Sequence, residues 1–382
     1  MKIVPTNRVR FKSSMLSDIL PAMRISSTVL FILSLTSTTS HAAVGHSWQF
    51  AVSGDSRNCG DVVMPSIAAD VLQSKARFYW HLGDFRLGGK HIDEDILADK
   101  ENPNPPTELQ SYSSMMWRDF LDRQIAPFGL LPVFLSIGNH ELILKKRDDF
   151  VKTFQPWLDA PPVHHARLLD GEENQPVRPY YHWVEKGIDF LSLDNGSYEQ
   201  FDQEQSAWIT KHLEADEADP AIKAIVVGMH EALPDSIAFG HSMSESGKAT
   251  AVDSGRAIYA KLLHVQNVAK KHVYVLASHS HFYLDGLFNT EYWHEHGGVL
   301  AGWLVGTAGA VRYPLPPRHE RARRAITHVY GYLMGTAHAD GRIDFVFHQV
   351  TRSEVQPEVL RRYGSEFVKF CFDKNSQKEQ PH

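Results

Sequence analysis

Cysteine is scarce in this chain, because only Cys59 and Cys371 occur among its 382 residues. Two thiols cannot build a disulfide-dense scaffold, and they cannot supply a cysteine-rich zinc module. Whether they pair is left open, because an oxidising compartment permits a bond that sequence spacing cannot establish. A Gly-x-Ser-x-Gly motif is also lacking, which argues against a serine hydrolase, and the surroundings of Cys59 match no cysteine-hydrolase signature.

The chain also lacks a hydrophobic run long enough to span a bilayer. The apolar centre of its N-terminal segment, residues 29–35, is too short. Basic residues precede this segment and small residues follow it, which is typical of a secretory signal. We therefore predict a signal peptide over residues 1–42, a periplasmic or secreted location, and no membrane span in the mature chain. An uncleaved N-terminal anchor is the alternative, and translation starting at Met15 or Met23 is left open.

Positive charge is not in excess. The chain carries 39 Lys and Arg against 45 Asp and Glu, a formal net charge of −6. Removal of residues 1–42 would leave 34 basic and 44 acidic residues, a net charge of −10. Nonspecific affinity for nucleic acid and for anionic membranes comes largely from Lys and Arg. We therefore predict no general nucleic-acid binding, and any recognition of phosphate must be local.

What the chain does contain is an alternation of short apolar runs with amphipathic stretches, which indicates an α/β protein. The three apolar runs nearest the C-terminus alternate more strictly and predict antiparallel strands. No linker divides the chain, so we predict one domain over residues 43–373 and a polar tail over residues 374–382. The predicted helices cover residues 61–72, 109–125, 203–213 and 255–270. The predicted strands cover residues 47–53, 76–82, 131–137, 180–194 (a hairpin bent at Lys186-Gly187), 221–228, 272–278, 302–308, 328–337 and 342–350.

Three polar, proline-rich insertions interrupt this pattern, at residues 99–108, 159–179 and 233–255. Long loops in a compact domain are usually functional lids or disordered segments. We expect them to roof any crevice and to decide which substrate enters it. The basic stretch at residues 318–325 is predicted to be a solvated helical face.

Polar residues follow the ends of five predicted strands. The carboxyl ends of neighbouring strands in an open parallel sheet meet at one crevice, so we expect these groups to converge. Two carboxylates, an amide oxygen and three imidazoles are costly to bury together without a cation, and they suit hard to borderline metal ions. The five endings are Gly54-Asp55, Gly83-Asp84, Gly138-Asn139-His140-Glu141, His230 and His279-Ser280-His281.

The spacing of the last ending favours two ions. His279 and His281 are two residues apart in a strand-like run, so their side chains point the same way if the backbone is extended. Asp84 lies between the other carboxylate and the amide in the series, where it is placed to bridge. The pattern predicts a two-metal site of the kind used for phosphoryl transfer, with ions about 3.5–4 Å apart.

In this order the motifs resemble those of the calcineurin-like metallophosphoesterases, nearest the purple acid phosphatase-like branch. The similarity runs from Gly54 to His281. It implies a four-layer α/β/β/α sandwich of two mixed sheets and a metal-dependent phosphoric ester hydrolase. It also implies divalent or trivalent metal ions, one or two per chain, with manganese, iron and zinc as the candidates.

The resemblance also assigns roles to residues. A metal-activated hydroxide attacks phosphorus, and His140 stabilises the transition state or protonates the leaving oxygen. Asn139 is a candidate for contacting the substrate as well. Glu141 is interpreted as a charge in the first turn of a helix. The implied ligands are Asp84, Asn139, His230 and His279 for one ion, and Asp55, Asp84 and His281 for the other.

Two positions depart from the family pattern. Arg57 stands where many members carry the His of an Asp-x-His motif, and Leu87 stands where purple phosphatases carry a Tyr. The ion at Asp55 therefore lacks its fourth ligand, which we interpret as a depleted first-metal site. Arg57 is predicted to compensate by clamping a phosphate oxygen and acting in catalysis. Arg86 is a second candidate for substrate binding.

The sequence thus predicts an exported metal-dependent phosphoesterase that acts on a small-molecule or glycan phosphoester. Whether the substrate is a monoester or a diester is left open, as are the identity of the metal and the oligomeric state. The alternative is a catalytically weak or inactive relative that binds a phosphorylated ligand.

Overall fold

The computed structural model describes residues 47–377, except residues 90, 144, 198, 199 and 239. The predicted signal peptide, residues 1–42, and residues 378–382 of the predicted tail lie outside the described residues. Within residues 47–377, with those gaps, no helix has both the length and the hydropathy that crossing a bilayer requires.

Two mixed sheets form the centre of the structure. The first has the strand order β12-β11-β1-β2-β3, and the second has the order β10-β8-β9-β7-β6-β5-β4. Strands β1, β2 and β3 are parallel, and so are β5, β6, β7 and β9. The strands are β1 Trp48–Ser53, β2 Tyr79–His81, β3 Val133–Leu135, β4 Tyr181–Glu185, β5 Ile188–Ser192, β6 Ala224–Gly228, β7 His272–Ala277, β8 Tyr283–Asp285, β9 Ala301–Val305, β10 Arg324–Ile326, β11 Tyr330–Ala337 and β12 Ile343–Val350.

Helices connect and cover these strands. The helices are α1 Gly60–Ser74, α2 Glu94–Ala98, α3 Leu109–Phe120, α4 Arg147–Leu158, α5 Pro161–Leu169, α6 Gln203–Ala218, α7 Ala249–Asn267, α8 Glu291–Glu295, α9 Pro357–Tyr363 and α10 Ser365–Asp373. A π-helical turn, Leu121–Ile125, continues α3. Helix α1 buries Val63 and Ile67 beside the first sheet, and α7 buries Ile258 and Leu262 beside the second.

Aromatic side chains fill the space between the two sheets. The ring of Phe134 in β3 stacks on Trp183 in β4 with centroids 3.8 Å apart, and Phe50 in β1 meets Phe190 in β5 edge to face at 5.1 Å. Such pairs add about 0.5–1.5 kcal/mol each to the free energy of burial. With helices on both outer faces, the molecule has four layers, which confirms the predicted α/β/β/α sandwich of two mixed sheets.

The predicted hairpin over residues 180–194 is also confirmed, because β4 and β5 pair antiparallel across Lys186 and Gly187. The φ angles of these two residues are 50° and 78°. Two consecutive left-handed residues are the signature of a turn whose twist matches that of the flanking strands.

Strands β11 and β12 pair antiparallel, as predicted. Three other expectations were wrong in whole or in part. Strand β9 is antiparallel to β8, as predicted, but it is parallel to β7, because β8 and α8 between them return the chain to the same end of the sheet. Residues 318–325 do not form a helical face, since β10 pairs there with β8 as the edge strand, where charged side chains are usual. The insertion at residues 159–179 contains α5, whose first turn carries Pro161 and Pro162.

Cys59 and Cys371 form a disulfide, with Cα atoms 5.8 Å apart. The pairing that the sequence left open is therefore present. It joins the residue before α1 to helix α10 near the other end of the chain, and both side chains are fully buried.

Candidate metal centre

Three of the predicted ligands have a left-handed backbone conformation, with φ of 59° at Asp55, 60° at Asp84 and 65° at His279. Such angles cost about 1–3 kcal/mol per residue and persist where the surrounding structure fixes them, which is common at functional sites. Asp55 and Asp84 follow the parallel strands β1 and β2, and His279 follows β7. With this backbone conformation, all three side chains are buried at the carboxyl ends of their strands.

Glu141 joins two of the loops. Its carboxylate accepts hydrogen bonds from the backbone N–H groups of Asp84 (2.8 Å), Phe85 (2.9 Å) and Gly138 (2.8 Å). Burial and the charge of Asp84 raise the pKa of Glu141 to about 7. The structure thus gives Glu141 a supporting role that the sequence interpretation, a first-turn helix charge, missed.

His230 lies at the centre of the first group of predicted ligands. Its Nδ1–H donates to the carbonyl of Leu82 at 2.9 Å, so its Nε2 faces the site. That nitrogen is 2.9 Å from Oδ1 of Asn139, 3.1 Å from Nδ1 of His279 and 3.3 Å from Oδ1 of Asp84. Three oxygen and nitrogen atoms that can bind a metal ion therefore lie within 3.3 Å of Nε2 of His230.

The electrostatics of this group favour a cation. Burial lowers the pKa of the His230 imidazole, but the charges of Asp84 and Asp55 and the hydrogen bonds of the ring together outweigh burial and raise that pKa to about 10. Burial also opposes ionisation of Asp84, yet the charges of His230, His140 and Arg57 hold the pKa of Asp84 well below its usual range. Among the described residues, Oδ2 of Asp84 has no hydrogen-bond partner. Asp84, His230 and His279 thus form a group that can hold a metal ion.

Asp55 and His281 form the other half of the predicted site. Oδ2 of Asp55 accepts hydrogen bonds from the hydroxyl of Ser278 and from the backbone N–H of His279 (2.7 Å). Oδ1 of Asp55 is 3.1 Å from Nε2 of His281. The Nδ1–H of His281 donates to the carbonyl of Val311 at 2.6 Å, which leaves Nε2 with a lone pair that can bind a metal ion or accept a hydrogen bond.

Arg57 reaches into this second half. Its Nη2 donates to Nε2 of His281 at 2.8 Å and is 3.7 Å from Oδ2 of Asp84. Its Nη1 donates to Nε2 of His140, and the residue is only 6% exposed. A fixed positive charge therefore contacts two of the three residues that the resemblance assigns to the second ion.

His140 holds this arginine in place. Its Nδ1–H donates to the carbonyl of Leu87, which leaves Nε2 as the acceptor for Arg57. The backbone N–H of His140 donates to Oδ1 of Asp84 at 2.9 Å. Burial lowers the pKa of His140, in keeping with a neutral ring. Leu87 therefore contributes a backbone acceptor at the position where purple phosphatases carry a metal-binding side chain.

Arg86 does not reach the site, so its predicted role in substrate binding is corrected. Its side chain is 1% exposed and donates to Asp95 at 2.9 Å, to Asp61 at 2.6 Å and to Asp119. A buried guanidinium needs such partners. Three carboxylates, one each from α1, α2 and α3, hold it inside the helical layer.

Two further residues lie beside the site. The ring of Tyr313 stacks on His281 with centroids 4.0 Å apart, and Nδ1 of His241 is 3.4 Å from Nε2 of His279. His241 belongs to the insertion at residues 233–255, which is the only signal the sequence gives for it. Tyr313 follows β9 in a segment without a recognisable motif.

The structure therefore brings together all the predicted site residues except Arg86. They are Asp55, Arg57, Asp84, Asn139, His140, His230, His279 and His281.

Comparisons with known proteins bear on the fold. No protein-family model matches the chain, and no curated protein matches it. Among solved structures 46 chains match. PhoD has a TM-score of 0.50 and 13% identity, covering 84% of this chain and 76% of that chain. GAP50, the anchor in the inner membrane complex of Plasmodium, has a TM-score of 0.44 and 10% identity, covering 88% and 98%. A cold-active protein-tyrosine phosphatase of a Shewanella species has a TM-score of 0.26 and 13% identity, covering 78% and 80%. At this identity the similarity to PhoD concerns the fold alone.

Proposed function

We propose that the chain is an exported metal-dependent phosphoesterase with one metal ion in its active site. The observation that carries the proposal is the convergence of Asp84, Asn139, His230 and His279 on one point beside the guanidinium of Arg57. A metal ion and a guanidinium together supply the positive charge that a phosphoryl group needs when it is attacked.

The proposed ligand atoms are Oδ1 of Asp84, Oδ1 of Asn139, Nε2 of His230 and Nδ1 of His279. Their separations from Nε2 of His230, 2.9–3.3 Å, suit neighbouring ligands of one ion whose bonds are about 2.0–2.2 Å long. Oxygen and nitrogen ligands without sulfur are compatible with manganese, iron or zinc. When bound, the ion polarises the phosphoryl group and lowers the pKa of water towards neutrality.

Arg57 is proposed to take the place of a second ion. The residues assigned to that ion are Asp55, Asp84 and His281, and Nη2 of Arg57 donates to His281 at 2.8 Å. Its charge would disfavour a divalent cation at the same place. We propose that Arg57 binds a phosphoryl oxygen and stabilises the charge that develops there, while His140 positions Arg57 through its Nε2.

The proposed substrate is a small phosphoester, free or attached to a glycan. The excess of acidic residues disfavours polyanionic partners such as nucleic acids, so phosphate recognition rests on the ion and on Arg57. Three of the four proposed ligands are buried and Asn139 is half-buried, which suits a phosphoryl group presented on a narrow substituent. The substrate can be a phosphomonoester or a phosphodiester. Turnover of one compound of each type, measured separately, decides between them.

Export is proposed from two features. Residues 1–42 have the composition of a secretory signal, and Cys59 and Cys371 form a disulfide. Structural disulfides persist in oxidising compartments and are rare in the cytosol. The proposed location is the periplasm or the extracellular space.

The test is hydrolysis of p-nitrophenyl phosphate and of its bis-ester by purified protein. Chelation should abolish turnover, and manganese, iron or zinc should restore it. Asn139→Ala should lower kcat/KM more than about 100-fold, because loss of groups that only support metal ligands already costs 10–100-fold. His140→Ala should lower kcat with the metal content unchanged. Asn174→Ala and His264→Ala, both at exposed positions, are the matched controls.

Two outcomes would contradict the proposal. Turnover that is indifferent to chelation and to both substitutions would move the activity away from this site. Binding of one metal ion and of inorganic phosphate without any turnover would favour the alternative, a relative that binds a phosphorylated ligand. The contacts of Arg57 with Asp84 and His281 are the observation that keeps this alternative open.

A further inference from the structure

A second group of imidazole and carboxylate side chains lies at the edge of the seven-stranded sheet. Asp170 follows helix α5, His182 is in the edge strand β4, and His212 is in α6. Each offers one ligand atom, and the three atoms lie within 4.8 Å of one another. Both histidines are buried, and Asp170 is half-buried. None of the three belongs to the strand endings that form the proposed active site.

His182 is held in the orientation of a metal ligand. Its Nδ1 is 2.9 Å from Oδ1 of Asp189, and its Nε2 is 2.7 Å from Oδ2 of Asp170. A carboxylate behind one ring nitrogen fixes the tautomer and raises the basicity of the other nitrogen, as is usual for histidines that bind metal ions. Asp189 therefore acts as the supporting carboxylate, and Nε2 of His182 faces the group.

His212 supplies an independent sign that a ligand is bound here. Its side chain is 3% exposed, and its ring centroid is 4.2 Å from that of His182. Among the described residues, Nε2 of His212 has no hydrogen-bond partner. A buried polar atom without a partner costs about 1–3 kcal/mol, so a native structure normally provides one.

The surroundings leave room for an ion. The carboxylates of Asp189 and Asp170 lie on the two ring nitrogens of His182. A cavity of about 20 Å³ lies beside Asp170 and His182 and is also lined by Glu172, Trp208, Arg167 and Arg178. This volume is about that of one water molecule.

We propose that Asp170, His182 and His212 bind a divalent transition-metal ion, with zinc as the first candidate. Two imidazoles and one carboxylate are ligands that zinc commonly takes. The ion would tie α5 and α6 to the edge strand β4, so its role is to stabilise the fold and to cover an exposed sheet edge. This site is independent of the proposed active site.

The test counts zinc ions in purified full-length protein that carries His230→Ala, which disables the proposed active-site ion. We expect one zinc per chain in this background. Adding His212→Ala should weaken zinc binding more than tenfold, and adding His264→Ala, on the exposed face of α7, should not. Zinc at a hundred times its dissociation constant should raise the melting temperature of the His230→Ala protein by about 4 °C.

Asp170→Asn, at a half-buried position, is the second variant in case His212→Ala does not fold, and it should weaken zinc binding by a similar factor. The proposal is overturned if the His230→Ala protein binds no zinc. It is equally overturned if zinc binding survives both His212→Ala and Asp170→Asn, since Asp170 and His182 would then be a buried ion pair only. The zinc counts do not depend on phosphoesterase turnover. A failure of the proposed function therefore does not imply a failure of this proposal, and the reverse also holds.

Discussion

Nη2 of Arg57 lies 2.8 Å from Nε2 of His281. His281 is one of the residues that the resemblance assigns to the second metal ion, and here its acceptor nitrogen receives a hydrogen bond from a guanidinium. The guanidinium of Arg57 thus lies beside His281, in the place that the resemblance assigns to the second ion of a dinuclear site. This relationship is the basis for the proposal that residue 57 sets the number of ions in the active site.

Replacing Arg57 by His should therefore raise the metal content of the active site from one ion to two per chain. The smaller imidazole removes the positive charge and supplies the ligand that the Asp-x-His pattern expects. Elemental analysis of the dialysed protein, in a His212→Ala background that removes the other proposed site, measures the change. Arg57→Lys keeps the charge and should retain one ion. An unchanged count in Arg57→His contradicts the assignment.

Glu141→Gln should destabilise the protein by about 1–3 kcal/mol, because an amide cannot accept the three backbone hydrogen bonds that the carboxylate accepts. Metal affinity should fall with it, since Asp84 and Asn139 are on the two loops that Glu141 joins. Urea unfolding and metal titration are the measurements, with the exposed Glu173→Gln as control. Unfolding curves that superimpose would refute this role.

Arg86→Met should cost about 3–5 kcal/mol of stability, because Asp61, Asp95 and Asp119 would remain buried without their counter-charge. The KM of the molecules that remain folded should stay within about twofold, since Arg86 lies outside the site. Thermal unfolding and steady-state kinetics separate these effects. A raised KM at normal stability would restore the substrate-binding role.

The same cluster predicts a dependence on pH. Burial raises the pKa of Asp119 from 3.8 to about 6, although the charge of Arg86 opposes the shift. The folded state therefore holds this proton more tightly, and the stability it contributes is full below pH 3.8 and is lost as the pH rises to about 6. Between pH 3.8 and about pH 6, the free energy of unfolding of Asp119→Asn should therefore fall less than that of the wild type. Parallel pH profiles of urea unfolding for the two proteins would contradict the assignment.

The parts of the fold that the sequence predicts correctly depend on local signals. Lys186-Gly187 marks a turn that needs two left-handed residues, and the apolar runs on either side of it alternate as paired strands do. The direction of β9 depends on a connection through β8, a strand of three residues that is too short for a pattern to reveal. Strand pairing across such connections therefore caused the errors at β9 and β10.

The same distinction applies to the candidate site. Asp84 and Asn139 could be identified because each comes directly after a Gly that follows a predicted strand. The pairing of Arg86 could not, because its three partners come from α1, α2 and α3 and carry no common motif. The hydrogen bonds of Glu141 likewise depend on how two loops approach each other. The residues that follow the strand ends indicate which groups meet, but only the packing of the folded chain reveals which charges are already paired.

The bond between Cys59 and Cys371 has a consequence for biosynthesis. Cys59 lies two residues after Arg57, and its partner is 312 positions further along the chain. The loop that carries Arg57 is therefore secured only after Cys371 has been synthesised and the two thiols meet an oxidant. Protein produced in a reducing host should emerge with this loop untethered, so recombinant material for the assays is best made in an oxidising host compartment.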